Sequence, residues 1–283
     1  MGNLQGRLED YCTDYQLNEL AAMITEQTGV VCLPHQWPLL KKVLIDRTQA
    51  LNIDSIRGYL SALEFGEPQE LTLIANHLTA KHGTFFADST VVHTFQNDAL
   101  PDLRTRRASI KKINIWCISN DQGQDAYSLA ALCQQYLTEN WQVSILMTSL
   151  NQSSLDHATA GIYAAKDIEA ISIDQRNLMF QYGTGQHEGK VRIKPSLRQR
   201  LHTRPFNLMW DWPMEAHFDA IFCADILSHY DKKVQSAVLL QIEKCVLKSG
   251  YLFLGEKELF SLNPLRFQRI RQENIYQLTV IPF

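Results

Sequence analysis

An α/β fold is what this sequence predicts, with a mainly parallel sheet set behind an all-α N-terminal region. Three observations carry that expectation. The first hundred residues repeat their apolar positions at helical spacing. From Ile113 onward, short apolar runs alternate with helical stretches, the rhythm of βαβ units. Between the first such run and its helix lies Ser119-Asn120-Asp121-Gln122-Gly123-Gln124-Asp125, a polar loop with a glycine. A loop at the carboxyl end of a parallel strand is where open α/β sheets bind ligands.

In the N-terminal region, Leu17, Leu20, Ala21 and Ile24 fall on one helical face, and Gly29 stands where it can end that helix. Leu39, Leu40, Val43 and Leu44 form a second stripe, with Lys41, Lys42 and Arg47 on or near its other side. Asp54 is placed to cap a third helix bearing Ile56, Tyr59, Leu60 and Leu63, closed by Gly66. Pro68 opens a fourth, with Leu71, Ile74 and Leu78. Residues 1–100 are thus expected to form a small helical domain. The segment Lys81–Asp88 breaks the pattern, and Phe85 and Phe86 are expected to anchor it on a core. A further helix-like stretch covers Val91–Leu100, and the charged residues 101–112 read as a link into a second domain, 113–283.

In that second part, strands are expected at 113–118, 142–147, near 205–209, at 218–223 and at 250–255. Helices are expected at 126–138, about 152–160 and 232–248, and a last strand from Ile275 after the chain has reversed. One interruption, about 172–204, holds Gly183, Gly185 and Gly189 and then the alternating Lys190-Val191-Arg192-Ile193-Lys194. Such alternation suits an edge strand with one solvated face, so a small antiparallel β-subdomain is expected there.

Composition narrows the function classes. The 283 residues are 45% hydrophobic and 20% charged, ordinary for a soluble globular chain. A net charge of −3 does not favour nucleic acid, and no apolar run reaches the roughly 18 residues of a membrane span, so no membrane insertion is expected. The N-terminus lacks a hydrophobic signal core, and Gly6 stands where a myristoylation motif wants Ser or Thr. Six scattered cysteines without a CxxC read as reduced thiols in a cytoplasmic protein.

The order and spacing of several short motifs then narrow the reading. They are Phe85-Phe86; Tyr127-Ser128 after the polar loop; Ala160-Gly161-Ile162-Tyr163; Gly183-Thr184-Gly185 with Gly189 and Arg192-Ile193-Lys194; Phe206-Asn207-Leu208; Phe218–Cys223; Tyr230-Asp231-Lys232; and Gly250–Gly255. On these the chain resembles the CheR-type chemotaxis receptor methyltransferases along nearly its whole length. The resemblance implies a helical N-terminal domain followed by a Rossmann-like S-adenosylmethionine (SAM) methyltransferase sheet with a small β-subdomain. It also implies SAM as cofactor and, as substrate, glutamate side chains on the cytoplasmic helices of chemoreceptors. Such a transfer needs positioning more than acid–base work, because the sulfonium is already activated.

Carried over residue by residue, the resemblance assigns cofactor contacts to Gly123, Asp125, Ser149, Asn151, Asn207, Leu208, Asp225 and Ile226. Several of these positions depart from the family pattern. Asn-Glu-Thr-x-Phe-Phe-Arg becomes Lys81-His82-Gly83-Thr84-Phe85-Phe86-Ala87, so Ala87 stands at the arginine. Ser-Thr-Gly-Glu-Glu-Pro-Tyr-Ser becomes Asp121 to Ser128, and Asp-Ile-Asp becomes Ser149-Leu150-Asn151. Asp225 replaces an asparagine, and His229 replaces a tyrosine near the transfer site. Because the changes gather at ligand positions, the expectation is a divergent member with weak or lost catalysis that acts by binding a chemoreceptor or other signalling protein. The alternative is an active protein-glutamate methyltransferase, and a third reading is another nucleotide-like ligand in the same cleft. Asp121, Asp125 and Asp225 either converge as an acidic pocket for a cation or face solvent as loop ends. Lys41, Lys42, Arg47 and Arg57 form either a basic face for acidic receptor helices or a solvated one. His82, His202, His217 and His229 lack metal-ligand spacing and read as ordinary polar histidines, so no metal is expected.

Overall fold

The structure is a computed structural model that describes residues 12–65, 68–80, 83–87, 89–210, 212, 217–255, 267–269 and 275–278. Gly6, Gly66 and His82, each singled out above, lie outside the described residues.

Helix α1 (Asp14–Thr28) starts on a reciprocal cap. Thr13 accepts from the Gln16 amide while the Gln16 side chain accepts from the Thr13 amide, which satisfies two orphan donors. Gly29, at φ 77°, ends it in the left-handed conformation. Helix α2 (Trp37–Ala50) buries Leu40, Val43 and Leu44, but Leu39 of the expected stripe is 42% exposed. Ser55, not Asp54, supplies the hydroxyl at the start of α3 (Ile56–Phe65), accepting from the Gly58 amide. Pro68 opens α4 (Pro68–Thr79), and α4 packs against α1.

The next stretch is helical further than the sequence suggests. Ser89–Thr94 (α5) runs through a π turn at Phe95–Ala99 into α6 (Leu100–Arg106), so helix occupies much of 101–112, where a link was expected. The π turn shifts the hydrogen-bond register just before Pro101, which has no amide to give, and Asp102 pairs with Arg106 one turn on. Phe95 is fully buried, with its ring edge-on to Phe222 and Phe253 at 5.2 and 5.9 Å, and this fixes the stretch to the sheet.

The main sheet has the order β6-β2-β1-β7-β8-β10-β9. Its parallel strands are β1 (Lys112–Ile118), β2 (Gln142–Ser149), β6 (Leu201–Pro205), β7 (Phe218–Cys223) and β8 (Val246–Leu254). Crossovers include α7 (Gln124–Tyr136), α8 (Gln152–Ala160) and α11 (Lys232–Cys245). A second sheet, ordered β3-β5-β4, holds β3 (Ile162–Ala164), β4 (Phe180–Tyr182) and β5 (Lys190–Ile193), antiparallel throughout, with α9 (Ile173–Met179) inserted before β4 and α10 (Pro195–Arg198) after β5. Strands β9 (Phe267–Arg269) and β10 (Ile275–Leu278) complete the far edge, β10 antiparallel to β8 as the chain reversal requires.

Two boundaries move. The small sheet begins at Ile162, ahead of the expected 172, and the expected 172–204 interval already contains most of β6, a main-sheet strand. The strand expected near 205–209 is β6 itself, four residues earlier. As an edge strand β6 leaves His202 and Arg204 exposed, so it is polar, while the apolar Phe206 and Leu208 after it are buried outside the strand.

Besides the contacts of Phe95, one buried cluster runs from the first helices to the sheet. Leu17 and Ile24 of α1 share it with Leu227, Tyr230 and Leu239. An isolated antiparallel bridge joins Val30 to Tyr230, and the Val31 amide donates to the His229 carbonyl at 2.7 Å. All six cysteines are buried free thiols.

Candidate active site

The chain reverses direction across the sheet between β1 and β7, since β2 and β6 lie on one side of β1 and β7 and β8 on the other. This is the switch point where an open parallel sheet leaves a crevice. A cavity of about 50 Å³ lies there. Ile118 at the end of β1, Phe222 in β7, Asp125 and Asp225 line it, together with Phe86 and Val92 from the segment ahead of the sheet.

Among the described residues, the loop after β1 is held largely by its own side chains. Asp121 is fully buried; one carboxylate oxygen accepts from the Gly123 amide at 2.9 Å and the other from the Asp125 amide at 2.8 Å. The Ser119 hydroxyl accepts from the Asp121 amide and donates to the Asp125 carboxylate at 3.3 Å. Gln124 accepts from the Gln122 amide, and the Tyr163 hydroxyl donates to the Gln122 carbonyl at 2.8 Å. Burial, with Tyr127 and then Asp121 adding to it, pushes the Tyr163 hydroxyl far above the usual tyrosine range, so it stays a donor. Burial pushes Tyr127 up to about 12, and its hydroxyl donates to the Ala158 carbonyl at 2.7 Å. Gly123 sits at φ 101°, and a Cβ there would lie 2.7 Å from the Ala158 Cβ, so only glycine fits.

The chemical consequence is specific. A helix N-terminus beside a strand end ordinarily offers bare amides to a phosphate. Here the Asp121 carboxylate already occupies two of them, at the start of α7. The loop therefore presents a carboxylate, Asp125, to the cavity rather than an anion hole, which argues against a phosphate-bearing nucleotide. Asp125 and Asp225 beside apolar walls suit hydroxyl groups and positive charge.

The sequence-derived residues are placed as follows. Asp125 and Asp225 line the cavity together, Asp225 at φ 62°. Gly123 is buried within the loop and does not line the cavity. Ser149 is buried, donates to Asn120 at 2.9 Å and accepts from the Asn151 amide, while Asn151 caps α8 through the Ser154 amide. These two shape the neighbouring loop and do not line the cavity. Asn207 is buried and accepts from the Met209 amide at 2.8 Å. Leu208 lines a separate groove of about 710 Å³ between α1 and α11, and Ile226 is buried. His229 is half-buried, and its carbonyl joins the bridge to Val31. Ala87 is exposed, next to Phe86, whose amide donates to the Ser128 hydroxyl at 2.9 Å. Of the three acids expected either to converge or to face solvent, Asp121 does neither. Arg47 drops out of the expected basic face, because its guanidinium grips Glu70 at 2.6 and 3.0 Å.

Sequence reasoning missed the inward turn of Asp121, although an aspartate two residues before a glycine that opens a helix is a turn-and-cap signal. It also missed Asn76, whose amide nitrogen reaches from α4 to the Leu150 carbonyl in the loop after β2, at 3.3 Å. No local signal marks that contact.

Comparison with known proteins gives a consistent set of likenesses. Residues 81–276 match the family model described as CheR methyltransferase, SAM binding domain. A chemotaxis protein methyltransferase of Klebsiella aerogenes is 28% identical over 272 residues, covering 94% of this chain and 90% of the relative. The chemotaxis protein methyltransferase of Escherichia coli K12 is 26% identical, covering 94% and 92%. Chemotaxis protein methyltransferase 2 of Pseudomonas aeruginosa is 28% identical, covering 90% of each.

Proposed function

The chain belongs to the CheR methyltransferase family, and on that footing we propose that it transfers the methyl group of SAM to glutamate carboxylates on the cytoplasmic helices of chemoreceptors. The cofactor is S-adenosylmethionine, to which the matched domain is devoted. The observation that carries the reading is the pairing of Asp125 and Asp225 in one apolar-walled cavity at the sheet's switch point. The residues present fit the group. Asp125 would accept from ribose hydroxyls, and the two carboxylates would favour a sulfonium over a phosphate.

When bound, SAM would supply a sulfonium methyl group whose transfer to a carboxylate needs no acid, because the leaving group is a neutral thioether, S-adenosylhomocysteine. What the chain supplies is placement. Asp125 is fixed by Ser119 and by its own amide, Ile118 and Phe222 keep water from the apolar side, and the loop offers no competing anion site. The substrate carboxylate attacks as its anion, so no general base is called for.

The expectation of weak or lost catalysis finds no support in the relatives, which are named as methyltransferases and match nearly end to end. Ala87 and His229 at the arginine and tyrosine positions bear on rate and on how the substrate is held. The cavity, about 50 Å³, is small against the roughly 300–1,000 Å³ of pockets that take whole small-molecule ligands, so a whole cofactor would need more room than it encloses here.

Titration calorimetry with S-adenosylhomocysteine, followed by labelling of a chemoreceptor cytoplasmic fragment with methyl-labelled SAM, tests the proposal. Micromolar binding and base-labile label on glutamate are expected. Silence at millimolar concentration, or binding of the receptor with no label, would overturn it, and the latter would leave the partner-binding reading standing.

A further inference from the structure

Resting on the cofactor reading above, we propose that Asp121 is the positioning residue of the cofactor loop and that Gly83, from a distant segment, is the room it requires. A Cβ built at Gly83 would lie 2.7 Å from the Asp121 Cβ, 2.8 Å from the Gln124 side-chain oxygen and 2.9 Å from an Asp121 carboxylate oxygen. This crowding is what makes the position suit glycine. The Asp121 Cβ cannot step back cheaply. Its carboxylate is tied at both oxygens, to the Gly123 and Asp125 amides. Gln124 is also committed, to the Gln122 amide.

Asp121 does not line the cavity, and it acts through Asp125. By taking the Asp125 amide it fixes the backbone from which the cavity-lining carboxylate projects. Its second hydrogen bond holds Gly123 in the left-handed turn that opens α7. A fully buried carboxylate survives only with such partners, and the positive end of a helix adds to them. The two positions act as one unit.

The test is a double-mutant cycle on the full chain, read by S-adenosylhomocysteine affinity, thermal midpoint and amide exchange at Gly123 and Asp125. Asp121→Asn keeps the size but cannot accept at both oxygens. It is expected to weaken S-adenosylhomocysteine by about tenfold, the equivalent of one charge-assisted hydrogen bond. The two amides should then exchange faster while the thermal midpoint moves little. Gly83→Ala is expected to weaken binding about tenfold in the native background and less than about threefold in Asp121→Ser, whose loop is free to shift. Equal cost of Gly83→Ala in both backgrounds, or unchanged affinity and exchange in Asp121→Asn, overturns the proposal. Should Gly83→Ala fail to fold, Asp121→Asn decides alone. Should the unaltered protein ignore S-adenosylhomocysteine, the methyltransferase reading falls, and amide exchange across the same cycle still decides the coupling.

Discussion

Asp125 is where the loop's chemistry meets the cavity, and its replacement gives the sharpest residue-scale prediction. Asp125→Ala removes the acceptor for ligand hydroxyls and half of the cavity's negative pair. S-adenosylhomocysteine affinity should fall about 10- to 100-fold, one or two charged hydrogen bonds' worth. Asp125→Glu restores the family's longer carboxylate and should recover most of it, which calorimetry on the two variants would check; equal affinity in all three proteins would remove Asp125 from the site. How legible such residues were depends on what one-dimensional spacing encodes. The turn at Gly123 was readable because a glycine followed by a helix at a strand end fixes the backbone, whereas Asp125 was singled out only through the resemblance. The inward turn of Asp121 was not, since sequence does not say which of two carboxylates four residues apart faces the crevice. Asn207 and Leu208 show the same limit. They are adjacent, yet one accepts from the Met209 amide and the other lines a groove on the α1 side.

At the scale of elements, the helices were legible through their caps and stripes, because Gly29 and Pro68 act on local backbone alone. Strand β6 was not, because its polarity follows from its place at the sheet's edge, which only topology sets. The tie between α2, α3 and α4 was equally hidden. Arg47 donates twice to Glu70, and the Tyr59 hydroxyl donates to Glu70 at 2.8 Å. Burial alone would raise the Glu70 carboxyl, but the hydrogen bonds from Arg47 and Tyr59 and the charge on Arg47 outweigh it and hold the group below its usual range. A carboxyl depressed in the folded state contributes stability above its unfolded value, about 4.3, and that contribution is lost as pH falls through the folded value. Asp102, lowered by Arg106 and Tyr251 against its own burial, acts in the same direction. Glu70→Gln should therefore cost about 1–2 kcal/mol in urea unfolding at pH 7 and markedly less at pH 3. A cost that does not change with pH would mean that Glu70 contributes by packing rather than by charge.

For the whole molecule, alternation of apolar runs and helical stretches was enough to read a parallel sheet behind a helical region, because each βαβ unit writes its own pattern. The joint between the two parts was not written anywhere locally. It is made of Leu17 and Ile24 meeting Leu227, Tyr230 and Leu239 in one buried cluster, of the Val30 to Tyr230 bridge, and of Asn76 reaching Leu150. Each contact pairs residues far apart in sequence, so neither periodicity nor capping betrays it. The joint also bears on the expected division at 1–100 and 113–283. Where two parts share a continuous apolar core, neither is a complete folding unit, and loss of one leaves the apolar face of the other in water at roughly 25 cal/mol per Å². We expect the full chain to unfold in one calorimetric transition, with the calorimetric and van't Hoff enthalpies equal. A fragment covering 113–283 should be poorly soluble, because Leu227, Tyr230 and Leu239 lose their partners on α1, and because Phe86, Val91 and Val92, which line the cavity, go with the deleted part. Two separate transitions, or a soluble 113–283 fragment that binds S-adenosylhomocysteine as tightly as the full chain, would show that the helical region is an independent appendage and that the cavity owes nothing to it.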